Sequence, residues 1–537
     1  MMKININHTI IAFCALIGAT SCSDLDVSPS GGTMTDDQKK EVIAGNPARL
    51  QSEVNGLYSG LYKEGSITDW SGNVESHFDF GFAAACMMYD ASGMDEPAEN
   101  SGYNWFGNQL SLRDRVSTSS SVGRPTYFLW NTFYSEIKTA NNILATVSDT
   151  TTNATLQGYL GQALAARAFS YLNLIQIYQQ TYKGHEKDLG VPIVLETTTP
   201  AQAANNPRAT VQDVYDLIIS DLTKSIGLLK SFARPSKEVI NAQVAYGLRA
   251  RAYLNMEEWA KAADDAAKAL VGYTPQSISD VSKPSFNNIS AGSWIWGIKV
   301  SETADVVTSG IVNFPSHMCS FTGNGYAPGY TGRYINSSLW NQIPSSDIRK
   351  GWWLDGNYNS PNVDWTWSIV SNGKVYGVSD WFGFNAPYLN VKFGAYKDIY
   401  NNPTNACDFP LIRAEEMILV RAEGLAMSGN TSDAKTLLES FVQTYRNPSY
   451  VCPASSSTGI QDEIWFQRRI ELWGEGFSLF DMKRLNKPMD RKGTNYAAAL
   501  QFTLPAAAPI LLWIIPEAEA NYNKGIVNNP MVTVPVP

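Results

Sequence analysis

The chain has 537 residues, 44% of them hydrophobic, so it can bury a large core and is too long for one small domain. The formal net charge of −9 leaves no basic face for a phosphate backbone, which argues against a nucleic-acid partner. Beyond the N-terminus no apolar run reaches the roughly 18 residues that a membrane-spanning helix needs.

The N-terminus has the features of an export signal. Lys3 gives a positive start, TIIAFCALIGA is a short apolar stretch, and small residues lead to Cys22. Ala19-Thr20-Ser21-Cys22 resembles a bacterial lipoprotein box, in which the cysteine becomes the acylated first residue. We predict a lipoprotein signal peptide over residues 1–21 and lipidation at Cys22, with ordinary cleavage after Ser21 as the alternative.

The next segments differ in composition. Residues 22–45 are polar, with Ser, Gly, Thr and Asp, and predict a flexible tether after the lipidated cysteine. Residues 46–537 are predicted to form a single domain. Helical patterning begins at 46–63, whereas 64–124 is rich in Gly, Ser, Asn and aromatics without sustained periodicity, which predicts long loops.

Strong helical patterns then follow. Apolar residues recur at three- and four-residue steps over 127–147 and again over 154–178. A further helix is predicted over 210–229, with Thr210 as N-cap and Asp213 three residues on.

An internal repeat indicates paired helices. In 241–270, Ala250 and Ala262 hold the small-residue positions of a tetratricopeptide pattern, and 413–445 is a weaker copy with a turn at Gly429-Asn430. The helical scaffold is therefore predicted over 127–272 and 408–485. Helices at 459–473 and 477–485 and a short apolar strand at 510–515 are predicted to complete the chain.

A long insertion, 280–405, separates the two copies. It holds eight of the 15 Trp residues, and Gly, Asn, Ser and Pro interrupt it throughout, which predicts loops and short strands. The fold class is thus mostly α: a tetratricopeptide-like helix-pair scaffold with a large irregular insertion.

The ordered series of motifs resembles the SusD/RagB family of outer-membrane lipoproteins. The matching segments are LWNTFYSEIKTANNIL, ALAARAFSYLNLIQIY, LGVPIVLE, ATVQDVYDLIISDL, DFPLIRAEEMILVRAEGLAMSG, IWFQRRIELWGEGFSLFDMKR and LLWIIPEAEANYN. Phe477-Ser478 departs from the family, which often has His-Arg there.

The resemblance implies a helical scaffold whose irregular face binds oligosaccharide or polysaccharide, with no catalysis and no required cofactor. It also implies a lipid-anchored position on the outer-membrane surface of a Bacteroidetes-type cell and a SusC-like, TonB-dependent transporter as partner. Some members handle peptides or other nutrients. A peptide-binding lipoprotein and a pure protein-interaction scaffold therefore remain as alternatives.

Sugar binding needs flat aromatic faces beside hydrogen-bonding groups, because a pyranose ring is apolar on its faces and polar at its edge. The two loop-rich regions, 64–124 and 280–405, supply both. The candidate ligand-binding residues are Trp105, Asp79, Asn104, Asn108, Arg113, Tyr326, Tyr330, Trp353 and Trp367. Each aromatic residue has core packing as the alternative, and that reading is preferred for Trp294 and Trp296.

No catalytic or metal-binding set is apparent. Asp79, Asp90, Asp95 and Glu96 fall in one loop region, with no second segment to complete a glycosidase pair, and are expected to be solvated. His77 and His317 are isolated in sequence. A structural calcium ion stays open where Asp and Asn cluster, but no EF-hand spacing supports one.

The cysteines beyond Cys22 are scattered, with no CxxC spacing. Buried free thiols are preferred over a disulfide such as Cys407–Cys452.

Overall fold

Helices dominate the computed structural model, which describes residues 34–64, 77–99, 102–117, 124–329, 331–380 and 387–537. The longer helices are α1 (Asp36–Gly45), α2 (Gln51–Ser59), α3 (Phe82–Ser92), α4 (Arg124–Thr146), α5 (Ala154–Tyr178), α6 (Val211–Leu229), α7 (Ala242–Asn255), α8 (Trp259–Ala269), α9 (Ala414–Met427), α10 (Thr431–Tyr445), α11 (Ser457–Glu471) and α12 (Ser478–Arg484). The predicted mostly α fold class is therefore confirmed.

Shorter elements fill the connections. Short helices span Gly107–Leu110, Pro200–Ala203, Ile278–Val281, Asp305–Thr308, Phe314–Met318, Ser337–Gln342 and Glu517–Tyr522. Single 3-10 turns span Pro47–Leu50, Arg113–Arg115, Ile348–Trp352, Val378–Asp380, Tyr396–Asp398, Ala498–Leu500 and Pro509–Leu511. The strands are β1 (Trp294–Ile298), β2 (Ser368–Ser371), β3 (Lys374–Gly377), β4 (Phe409–Arg413), β5 (Met489–Asp490) and β6 (Thr503–Leu504), paired antiparallel as β1–β4, β2–β3 and β5–β6.

Local sequence signals set the ends of the predicted helices. The Asn153 side chain caps α5 by accepting from the backbone N–H groups of Thr155 and Leu156. At α6, Thr210 Oγ1 accepts from the Asp213 N–H (3.1 Å), and the Asp213 carboxylate accepts from the Thr210 N–H (3.1 Å). This reciprocal pair satisfies two backbone donors that the first turn leaves open, so the predicted N-cap is confirmed.

Helices α4 to α10 form one continuous stack, in which each helix packs against the next in chain order. The pairs α7–α8 and α9–α10 are the two predicted repeats. Gly424 of α9 allows a close approach, because a Cβ atom there would lie 2.5 Å from the Trp259 carbonyl oxygen of α8. The long insertion therefore leaves the stack after α8 and returns at α9, and the helices on either side of it pack directly together.

Buried charges fasten the insertion to the scaffold. Within the insertion, Arg349 Nη1 lies 3.4 Å from Glu471 Oε2, and Lys392 Nζ donates to Glu475 Oε1 (2.7 Å). Arg446, at the end of α10, donates from Nε to Glu471 Oε2 (2.7 Å). Burial alone would raise the pKa of Glu471, but the surrounding arginines, Arg446 foremost, hold it well below its usual range. The carboxylate thus stays ionised and paired.

Helix α3 corrects the prediction of loops across 64–124. Every residue of FAAACMMYDAS is buried, so all faces of the helix are covered and there is no amphipathic period to detect. The acids in and near this helix are also buried, so the expectation that they are solvated is wrong for Asp79, Asp90, Asp95 and Glu96. Asp90, for example, accepts from the backbone N–H groups of Gly476 (2.7 Å) and Ser478 (3.1 Å).

Two smaller predictions also fail. Helix α1 spans Asp36–Gly45, and Thr35 caps its first turn with a capping box. The predicted tether over 22–45 is therefore wrong for residues 36–45. The predicted strand at 510–515 is instead a 3-10 turn followed by a buried, extended segment. There the Trp513 N–H donates to the Ile177 carbonyl of α5 (3.2 Å), so the segment packs on a helix and not on another strand.

Cys86, Cys319, Cys407 and Cys452 are buried free thiols, so the reading preferred over a Cys407–Cys452 disulfide is confirmed. Among the described residues, no helix is both long and apolar enough to cross a membrane.

Candidate ligand-binding site

An aromatic cluster brings the two loop-rich regions together. Trp105 stacks on His77 with ring centroids 4.3 Å apart, and Tyr103 lies 6.3 Å from Tyr326 of the insertion. The Tyr326 hydroxyl hydrogen-bonds to His77 Nδ1. Tyr103 and Trp105 are 55% and 37% exposed, whereas Tyr326 is 8% exposed. The cluster therefore exposes the rings of Tyr103 and Trp105 to solvent, while Tyr326 beside them is buried.

A second layer of rings supports Tyr326 from below. His317 stacks on Tyr326 at 4.9 Å and on Phe80 at 5.5 Å, and its Nε2 hydrogen-bonds to the His77 carbonyl (2.9 Å). Burial first, and then the charge of Arg333, lowers the pKa of His317 to about 3. His317 is therefore neutral at physiological pH and acts as an aromatic packing group.

Asn104 and Arg333 fix the loop that carries the exposed rings. Asn104 donates from Nδ2 to the Glu99 carbonyl (2.8 Å), and its Oδ1 accepts from the Phe106 N–H (3.1 Å) and from Arg333 Nη2 (3.0 Å). These bonds hold the residues on both sides of Trp105. Beneath them Arg333 Nη1 lies 3.8 Å from Glu96 Oε1, and both side chains are buried.

Four short extended segments connect this site to the rest of the insertion. Residues 95–98, 333–336, 388–391 and 352–354 lie side by side in that order and are joined by antiparallel bridges. In each pairing a backbone N–H group donates to a backbone carbonyl: Tyr334 to Pro97 (2.9 Å), Asn390 to Arg333 (2.8 Å) and Leu354 to Leu389 (2.9 Å). At about 4.8 Å per step, the outer segments lie roughly 14 Å apart.

The structure brings together only some of the predicted site residues. Trp105 and Tyr326 share the cluster, and Asn104 lies beneath it as a buried support. Asn108 is half-buried and Arg113 is exposed in the turns that follow.

The other predicted residues lie elsewhere. Asp79 is buried, and Trp367 packs against Tyr400, with ring centroids 5.7 Å apart, at the base of the β2–β3 hairpin. Trp353 lies away from the aromatic cluster, is only 1% exposed and packs edge-on against Trp473 at 5.4 Å, so it does not present an open ring face to solvent. Tyr330 lies outside the described residues.

Sequence reasoning missed Tyr103 and His77. Tyr103 is the most exposed ring of the cluster, and His77 links Trp105 to Tyr326. The signal for Tyr103 was available, since it precedes Asn104-Trp105 in the same loop. The pairing of His77 with Tyr326 spans 249 residues and had no local signal.

Asp95, in the first of the extended segments, belongs to the packing of the scaffold. Asp95 accepts from Arg469 Nε (3.1 Å) and from Ser478 Oγ (2.7 Å). Within the described ranges, no group of three or more His, Cys, Asp or Glu side chains is placed to hold a metal ion. What the cluster presents is flat apolar surface bordered by amide, hydroxyl and imidazole groups.

Comparison with known proteins agrees with this fold. Residues 88–254 match a family described as starch-binding and associating with the outer membrane, and residues 352–531 match the SusD family. A SusD-like protein of Formosa agariphila is 24% identical over 416 residues, covering 72% of this chain and 77% of that protein.

Solved structures extend the agreement over nearly the whole chain. A SusD-like carbohydrate-binding protein of Bacteroides vulgatus superposes with a TM-score of 0.70 at 22% identity, covering 89% of this chain and 97% of that one. A SusD superfamily protein of Bacteroides thetaiotaomicron gives a TM-score of 0.67 at 20% identity, covering 90% and 99%. The two family matches together cover more than half of the sequence. The chain belongs to the SusD/RagB family.

Proposed function

We propose that this protein is a non-catalytic lipoprotein of the cell surface that binds oligosaccharide or polysaccharide at the aromatic cluster and delivers it to a SusC-like, TonB-dependent transporter. Membership of the family supports a glycan-binding, nutrient-binding protein of the outer membrane. The observation that carries the proposal is the pair of exposed rings, Tyr103 and Trp105, held by buried supports at the meeting point of two loops.

The physical argument is one of cost. Two aromatic rings exposed at the same place keep apolar surface in contact with water, which is unfavourable in free energy. Clusters of this kind often mark a site where a ligand covers the rings. Asn104, Arg333 and His77 hold the rings in place before any ligand arrives, so little conformational entropy is lost on binding. An apolar sugar face can lie on the rings while neighbouring polar groups meet its hydroxyls.

The glycan assignment is tested by affinity electrophoresis and calorimetry over a panel of polysaccharides, with a tryptic peptide mixture as the competing nutrient class. We expect at least one polysaccharide to retard the protein, with a dissociation constant between about 1 μM and 1 mM. Retardation by no polysaccharide, together with binding of peptide, would reject the glycan ligand.

The anchor is proposed at Cys22, after removal of residues 1–21. Full-length protein expressed in a Bacteroidetes host should partition into the detergent phase of Triton X-114, and Cys22→Ser should move it to the aqueous phase or leave it unprocessed. Identical partitioning of the two forms would mean that Cys22 carries no lipid.

The transporter partnership requires a direct measurement. Affinity-tagged protein, extracted in mild detergent from its native membrane, should co-purify with a large outer-membrane barrel protein identified by mass spectrometry. Recovery of the protein alone, with its glycan binding intact, would leave a surface glycan binder and remove the delivery step.

A further inference from the structure

A second concave surface lies in the insertion, away from the aromatic cluster. Its volume is about 430 Å³, within the range of roughly 300–1,000 Å³ typical of small-ligand pockets. The lining residues that matter here are Trp340, Ser345, Ser346, Lys350, Asp355 and Asn359. The groove borders the segment 352–354, the outermost segment of the extended ladder and the one farthest from the Trp105 loop.

The walls of this groove are fixed by internal bonds. Trp340 donates from Nε1 to the Lys350 carbonyl (3.3 Å), while Lys350 Nζ donates to the Ile343 carbonyl (2.6 Å) and lies 4.2 Å from the Trp340 ring centroid. Elsewhere in the lining, Asp355 Oδ1 accepts from the backbone N–H groups of Asn357 (2.8 Å) and Asn359 (2.9 Å). The cavity is therefore shaped before a ligand enters.

The charges of the groove nearly cancel. Asp347 is occupied by Arg349, which donates from Nε (3.0 Å) and Nη2 (2.7 Å) to its two oxygens. Lys350 and Asp355 then contribute one charge of each sign. A phosphate or a polyanion would find no cluster of cations here. A neutral, polyhydroxylated ring fits, because Trp340 provides an apolar wall and Ser345, Ser346 and Asn359 provide hydroxyl and amide partners.

We propose that this groove is a second carbohydrate subsite, which takes a neutral sugar unit of the same glycan that the aromatic cluster binds. The inference rests on the proposed function. The separation of the two sites is fixed by the ladder of extended segments 95–98, 333–336, 388–391 and 352–354. The loop that carries Trp105 follows segment 95–98, and the groove borders segment 352–354 at the other edge. A polysaccharide long enough to reach both sites binds more tightly through avidity, whereas a fragment that reaches one site does not.

The test uses full-length protein labelled with 5-fluorotryptophan, with the Trp105 and Trp340 signals assigned from Trp105→Phe and Trp340→Phe. The probes are hexasaccharides of glucose, xylose, mannose and galactose and a tryptic peptide mixture. Ser346→Leu fills the groove without removing a packed ring, and Ser428→Leu, at the exposed end of α9, is the matched control.

We expect one oligosaccharide to shift both the Trp105 and the Trp340 fluorine signals saturably. Ser346→Leu should abolish the Trp340 shift, keep the Trp105 shift and weaken binding of the long polysaccharide about tenfold or more, while Ser428→Leu behaves as wild type. A shift at Trp105 without one at Trp340 overturns the second subsite and leaves the proposed function standing. Shifts at neither ring with any sugar overturn both, and a Trp340 shift produced only by peptide overturns the ligand class.

Discussion

Replacing Trp105 by Ala tests the proposed site most directly. The ring is 37% exposed, which corresponds to roughly 90 Å² if a Trp side chain presents about 250 Å². If a sugar face covers that area, its loss at about 25 cal/mol per Å² costs about 2 kcal/mol of binding free energy. A loss of that size weakens the dissociation constant about 30-fold.

Calorimetry with the polysaccharide that retards the wild-type protein measures this change. Tyr522→Ala is the matched control, because Tyr522 is an exposed aromatic residue, 82% accessible, in the distant Glu517–Tyr522 helix. Both variants should melt within about 2 °C of the wild type, since neither ring is buried. If Trp105→Ala keeps the wild-type affinity within twofold, the stacking argument is wrong for this ring.

Three further predictions concern stability. Trp353→Ala should lower the free energy of unfolding by about 3–5 kcal/mol, measured by chemical denaturation, because the ring is buried in the core. Glu471→Gln should cost about 3–5 kcal/mol in the same assay, because it leaves Arg446 and Arg349 buried with incomplete compensation. Burial raises the pKa of Glu96 to about 8, above its value in the unfolded chain, so the folded state binds this proton more tightly than the unfolded state does. The resulting contribution to the free energy of unfolding is lost as pH rises toward 8. Melting temperatures of Glu96→Gln should therefore fall less between pH 5 and pH 8 than those of the wild type, and parallel curves would contradict this.

Periodicity made the helical scaffold predictable. Helix α5 spans Ala154–Tyr178, as predicted, and the capping box at Thr210 fixed the start of α6. Both signals are local, since they depend on residues within a few positions of each other. Helix α3 lacked such a signal because all of its faces are buried, and only tertiary packing distinguishes it from an apolar loop.

The site was harder to predict because it depends on long-range contacts. Trp352 and Trp353 are adjacent aromatic residues in a loop-rich region, and nothing in the sequence shows that both rings are buried. Trp105 and Tyr326 could be chosen singly, but their approach depends on His77 and on the bond from Arg333 to Asn104, which joins residues 229 positions apart. Composition therefore indicated which residue types to consider, and only the fold shows which rings lie together at the surface.

The placement of the insertion leaves the helical stack continuous. Helices α8 and α9 pack together although about 140 residues lie between them, so the stack does not depend on the length or composition of the loops. Arg349 and Lys392 attach those loops through carboxylates on the scaffold side, Glu471 and Glu475, which leaves the outer faces free to change. The same frame recurs in solved structures that superpose with TM-scores near 0.7 at about 20% identity, so the stack tolerates extensive change in sequence.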